Sequence, residues 1–187
     1  MSITKSNAIT KNYRSKFGHQ LVFRNRFGHS VMAIPPKRRK TAPTENQLYA
    51  RMKFRMASHY ATNILQDPDM LAAYTAKSHD GLSPYILAVT DWLNPPFVDQ
   101  VDASGYNGNP GDRIGVVAGD DFELTAVTLK IVDAAGALIE EGPCVLNMAT
   151  GNYEFTATVA VPDVAGATIT AKATDTPGHT AELSVTL

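Results

Sequence analysis

Residues 124–136 read Leu-Thr-Ala-Val-Thr-Leu-Lys-Ile-Val-Asp-Ala-Ala-Gly, and this stretch decides the fold of the second half of the chain. Between Ala126 and Val132 the side chains alternate. Val127, Leu129 and Ile131 point to one side and Thr128, Lys130 and Val132 to the other, the period-2 pattern of a strand with one buried face. Asp133-Ala134-Ala135-Gly136 then supplies turn residues, so the next strand folds back as a hairpin. Working outward, Val, Thr, Ile and Ala dominate residues 97–187, and Gly or Pro turns arrive every 8–15 residues. Strands are expected at 97–102, 112–118, 124–133, 137–141, 152–160, 167–174 and 180–187. Seven short strands in about 90 residues predict an antiparallel β-sandwich. Its core is expected from Val116, Leu124, Val127, Leu129, Ile131, Phe155, Val159, Ile169 and Val185, enough to fold alone.

Upstream, residues 44–96 carry a helical period. Thr44 with Gln47 matches a capping box, and Leu48, Met52, Met56, Tyr60 and Ile64 recur at every fourth position, predicting one helix of roughly 20 residues. Asp67-Pro68 and Ser83-Pro84 each pair an N-cap with proline at the first helical position, which predicts helices over about 68–78 and 85–93. Met70, Leu71 and Tyr74 are the expected packing residues of the first. Tyr85, Ile86, Val89, Trp92 and Leu93 are those of the second, and Asn94-Pro95-Pro96 ends it.

Residues 1–43 show no helical period and few apolar residues. Phe17-Gly18-His19 recurs as Phe27-Gly28-His29, each copy followed by an extended run, so a β-hairpin with its turn near residues 24–28 is expected. A lone hairpin is marginal in water, so this extended basic arm should order only against another sheet or a partner chain. The fold class is therefore α+β, mainly β: a basic N-terminal arm with a hairpin (1–43), a small three-helix module (44–96) and a seven-stranded sandwich (97–187).

Three segments carry a resemblance. Gly105–Asp112, Asp121–Asp133 and the closing Ala173-Thr174-Asp175-Thr176-Pro177-Gly178-His179-Thr180-Ala181 resemble bacterial immunoglobulin-like modules, which implies an immunoglobulin-like topology and no particular activity. Residues 43–61, PTENQLYARMKFRMASHYA, resemble the start of small uncharacterised bacterial proteins that join such a segment to an immunoglobulin-like tail.

Charge divides the chain. Residues 1–56 hold 13 Lys and Arg against one acid, Glu45, for +12, while residues 57–187 hold four against 17, for −13; the total of −1 conceals this. Such a molecule favours an acidic partner, and another copy qualifies as well as nucleic acid does. The candidate partner-binding residues are Arg14, Lys16, Phe17, Phe23, Arg24, Arg26, Phe27, Lys37, Arg38, Arg39 and Lys40. Lys37–Lys40 repel one another and seek phosphates, an acidic protein surface or water. Tyr13, Phe17, Phe23 and Phe27 lie among the cations and are able to stack on bases.

Catalytic motifs are missing. The five histidines fall at no zinc spacing, and neither a nucleophile elbow nor a P-loop occurs, so no catalytic, metal or cofactor-binding residue and no cofactor is assigned. His19 and His29 can face each other across the hairpin, with exposed histidines as the alternative. Asp99, Asp102, Asp120, Asp121 and Asp175 are calcium candidates, with solvated turn aspartates as the alternative. Cys144, the only cysteine, is expected to be a buried and inert thiol. The opening MSITKSNAITKNYRSK lacks the apolar core of a secretory signal, and no run suits a membrane helix. The expectation is synthesis in the cytoplasm without a signal peptide, ending in a virion or an extracellular assembly.

The expected function is a non-enzymatic structural subunit that self-assembles into a particle, tube or filament, its arm binding neighbouring copies by strand addition. The alternative is a nucleic-acid-associated protein whose arm lies along phosphates.

Overall fold

The computed structural model describes residues 2–4, 14–18, 20–26, 29–37, 41–79 and 81–187. Among the described residues, three helices and three antiparallel four-stranded sheets make the chain α+β and mainly β.

The first sheet comprises β1 (Ser2–Thr4), β2 (Ser15–Phe17), β3 (Leu21–Arg26) and β4 (His29–Ala33), in the order β1-β4-β3-β2. The expected hairpin is present, but β3 continues through Arg24, Asn25 and Arg26, and Arg26 pairs with His29. Residues 24–26 therefore belong to the strand and not to the expected turn; residues 27 and 28 lie outside the described residues. The hairpin is also not alone, because β1 and β2 pair along its two outer edges. Backbone groups that a lone hairpin leaves to water are thereby paired within the chain.

The sandwich comprises β5 (Phe97–Asp102), β6 (Arg113–Gly119), β7 (Leu124–Val132), β8 (Leu138–Pro143), β9 (Val145–Leu146), β10 (Tyr153–Thr156), β11 (Thr168–Asp175) and β12 (Thr180–Thr186). One sheet runs β5-β6-β10-β9 and the other β12-β11-β7-β8. Val127, Leu129 and Ile131 of β7 meet Ile169, Ala171 and Ala173 of β11 on one side. Val101, Ile114, Val116 and Phe155 come from the facing sheet. Eight strands replace the expected seven. The chain leaves β7 after Pro143 and joins β10 at Val145, passing through Cys144, whose N–H donates to Val127 O at 2.8 Å. A two-residue strand on the far side of such a crossing shows no alternation to read. Leu124 and Val185 pack only partly buried against the core, whereas Val159, expected inside, is 40% exposed because β10 ends at Thr156. Burial pushes the Cys144 thiol up to about 11, so it stays protonated and unreactive near neutrality.

Turn chemistry closes the loops. Asp133 Oδ1 accepts from the N–H groups of Ala135 and Ala137 at 2.9 and 2.8 Å, as its hairpin position demands. In the 105–112 loop, Asp112 Oδ2 accepts from Asn107 and Asn109 N–H, and these bonds hold its carboxyl below the usual range. Gly108, at φ +84°, is required there: a Cβ would lie 2.3 Å from Val161 O.

Helix α1 (Glu45–Ile64) is followed by α2 (Pro68–Ala76) and α3 (Pro84–Leu93). Thr44 is the N-cap of α1, but its side chain makes no capping bond, so the expected box does not close. Asp67 and Ser83 do cap, accepting from Asp69 and Ile86 N–H. The buried face of α1 centres on Ala57 and Ala61, small residues that let α3 approach closely, with Tyr60 and Ile64 beside them. Of the residues expected to pack, Tyr74 and Val89 are buried and Met70, Trp92 and Leu93 are partly buried, whereas Leu71, Tyr85 and Ile86 are each 42% exposed; Ala88, not among them, is also buried.

The helices and the sandwich have separate cores that meet at Phe122. Phe122, in the β6–β7 connection, is buried among the helical residues and stacks on Tyr74 with centroids 4.1 Å apart. Lys77 Nζ lies 4.0 Å from the centre of that ring and donates to Phe122 O at 2.6 Å. Trp92 meets His179 edge-on at 5.3 Å.

Candidate assembly interface

In the first sheet, cross-strand partners share a face, and the register therefore sorts the candidate residues. Phe17 pairs with Leu21, and Phe23 pairs with Ser15 and Met32, so Phe17, Leu21, Phe23 and Met32 lie on one face. Lys16 pairs with Val22, and Arg24 with Val31, so Lys16 and Arg24 lie on the other. Phe17 is 62% exposed and Met32 is exposed, while Leu21 and Phe23 are half-buried. The aromatic rings and cations that interleave in the sequence are thus parted by the sheet. A single-strand nucleic-acid surface needs both on one face, cations along the backbone and rings under the bases. The register opposes that arrangement.

Arg14 is exposed just before β2, and Lys37 is exposed after Pro35-Pro36. Arg26 sits in the ladder. Phe27, Arg38, Arg39 and Lys40 lie outside the described residues, as does His19 of the proposed histidine pair. Gly18, at φ +56°, makes the tight turn from β2 into β3, where Gln20 N–H donates to Phe17 O.

Sequence reasoning missed two features. The first is on α1, where Leu48, Tyr49, Met52, Phe54 and Met56 are all 42–56% exposed although three of them belong to the predicted packing stripe. Of the 18 large apolar side chains exposed among the described residues, eight lie between Phe17 and Met56, within the basic part. Cations and uncovered apolar surface therefore coincide. The second is a buried polar cluster where the helices meet the sandwich. Tyr74 Oη donates to Asp91 Oδ2 at 2.5 Å, and Tyr60 Oη lies 3.2 Å from Tyr74 Oη. Asp91 is 1% exposed, and its Oδ1 has no partner. Burial, helped by the charges of Asp120 and Asp175 and opposed by the Tyr74 bond, pushes its carboxyl up to about 6. A cavity of about 210 Å³, lined by Leu82, Leu87, Thr90, Asp91, Asp121 and Phe122, adjoins it. The sequence signal was an acid inside the apolar run Leu87–Leu93.

Asp175 departs from the solvated-turn expectation. It is buried, its Oδ1 accepts from His179 N–H at 2.5 Å, and its Oδ2 lies 3.0 Å from His179 Nδ1. Asp120 caps the following turn, accepting from the N–H groups of Phe122 and Glu123, and Asp102 accepts from Ser104 N–H. Among the described residues, no three His, Cys, Asp or Glu side chains converge as a metal site. No helix among them is long and apolar enough to cross a membrane.

No family model matches the chain, and no curated protein matches it. Among solved structures, the crystal structure of CopC from Methylosinus trichosporium OB3b is similar at 16% identity. That match covers 49% of this chain and 89% of CopC, with a TM-score of 0.36. So low a score carries no argument about fold or function.

Proposed function

We propose that this chain is a structural subunit that self-assembles, its basic N-terminal part binding the acidic part of a neighbouring copy. The supporting observation is that +12 of charge and eight exposed large apolar side chains fall within residues 1–56 while the remainder carries −13. Solvated charge alone explains cations in water; it does not explain apolar surface left bare beside them. A contact between unlike ends of the molecule is heterologous and propagates, which suits a tube, filament or shell, phage-like or extracellular. The outer edge of β2 offers backbone groups for strand addition by a neighbour. An immunoglobulin-like sandwich would be the displayed body.

Light scattering and negative-stain electron microscopy of the full chain at low and high salt test this reading, beside a chain lacking residues 1–43. The full chain should form salt-sensitive polymers and the shortened chain should associate more weakly. Monomers at every concentration and salt would refute it. The nucleic-acid alternative instead predicts duplex binding whose affinity falls with salt by a slope near −0.9 per phosphate contact.

A further inference from the structure

Along α1, the repeat Leu48, Met52, Met56, Tyr60, Ile64 starts bare and ends covered. Tyr60 and Ile64 pack beside Ala57 and Ala61 in the helical core, whereas Leu48, Met52 and Met56 are 51%, 42% and 48% exposed. At about 100° per residue, Tyr49 falls beside these three within one arc of roughly 100°. Arg51 and Arg55 border the arc on one side. Lys53 borders it on the other, with its Nζ 5.3 Å from the centre of the Tyr49 ring. The stripe is continuous with the core, and its first half is left bare among the described residues.

We infer that this half of α1 docks on the acidic sandwich of a second copy. The inference rests on the self-assembly reading and names its apolar anchor. An occupant must carry an apolar centre and an acidic rim to match a cation-bordered stripe. Residues 97–187 carry 13 acids against three cations. They also expose Val145 at 71% and Met148 at 86%, so one copy offers both requirements to the next. Two methionines in the stripe suit an apolar contact that must adapt to a strand surface. Duplex nucleic acid has no apolar surface for Leu48 and Met52. A helix lying on a bilayer gathers its large apolar side chains on one face, and here Phe54 lies across the helix from the stripe.

The test uses full-length chains carrying Met52→Glu, or Arg51→Glu with Arg55→Glu, and a benzophenone photo-crosslinker in place of Met52. All these positions are exposed, so circular dichroism melts should match the parent. Self-association measured by light scattering should weaken about tenfold or more, as expected for losing one apolar anchor or reversing its rim. The crosslink should map to residues 97–187 of another copy. Undiminished association of both variants, or crosslinks to α1 or to residues 1–43, would overturn the docking surface and leave self-assembly standing. A parent chain that stays monomeric, whether inert or binding duplex DNA or phosphatidylserine vesicles, would overturn both.

Discussion

The sandwich and the N-terminal sheet are built from the same kind of strand and end in opposite states. Both are antiparallel, and both carry apolar side chains, alternating with polar ones in β7 but consecutive at Leu21–Phe23 and Val31–Ala33. In the sandwich, two sheets cover each other, so Leu129, Ile131, Ile169 and Val116 are wholly buried. In the N-terminal sheet, Val31 is buried on one face, but Phe17 and Met32 on the other remain exposed. What differs is closure. A sheet stabilises itself only when a second layer covers its apolar face, and nothing in β1–β4 is long enough to fold back as that layer. The contrast teaches that pairing strands into a sheet does not by itself cover its apolar side chains: among the described residues, the first sheet leaves Phe17 and Met32 bare.

The largest expected effect probes that contrast directly. Leu129→Ala should cost about 2–5 kcal/mol, because it leaves a cavity in a closed core. Phe17→Ala, on the open face, should leave the monomer's melting temperature nearly unchanged and act only on association. Equal losses in the monomer would show that the first sheet is as closed as the sandwich.

A middle-sized effect concerns the border of the sandwich. Residues 97–187 alone should still unfold cooperatively, because the two-sheet core lies wholly within them. The transition should fall by the equivalent of about 2–3 kcal/mol, since Phe122 loses its cover and His179 loses Trp92. A failure to fold would mean that helices and sandwich form one inseparable unit.

A third effect, no larger than the second and confined to a pH window, is a pH dependence. Folding raises the Asp91 carboxyl from 3.8 to about 6, so the folded state holds this proton more tightly than the unfolded chain does. Its contribution is full below about pH 4, declines as the pH rises, and is lost once the pH passes about 6. At about 1.36 kcal/mol per pH unit, this is on the order of 2–3 kcal/mol. Asp91→Asn keeps an acceptor for Tyr74 and removes the charge. Thermal melts of the variant should be flatter between pH 4 and 6, and should lie above the parent at pH 7.5. A parallel pair of curves would show that Asp91 is not the group responsible.

How much was legible depended on whether the signal was local. The strands from Leu124 to Val132 and from Thr168 to Asp175 were readable because alternation reports one buried face, and they are the strands at the centre of their sheet. Asp67-Pro68 and Ser83-Pro84 placed two helix starts because capping is a contact within one turn. The charge division needed no structure at all. The four-residue repeat of α1 was also legible, but which half of it is covered was not. That depends on where α3 crosses, and α3 reaches only the half with Ala57 and Ala61. Likewise, the interleaved rings and cations of residues 14–24 looked like one surface, and only the pairing of β2 with β3 and of β3 with β4 shows them on opposite faces.

The sequence by itself determined the order of arm, helices and sandwich, the strand centres and the separation of charge, because each follows from spacing or counting along the chain. The tertiary structure alone decided that Phe122 joins the two cores, that Asp91 and Asp175 are buried beside tyrosine and histidine, and that half of α1 is bare. Those facts rest on contacts between residues far apart in sequence, and a pattern within one element carries no record of what packs against it.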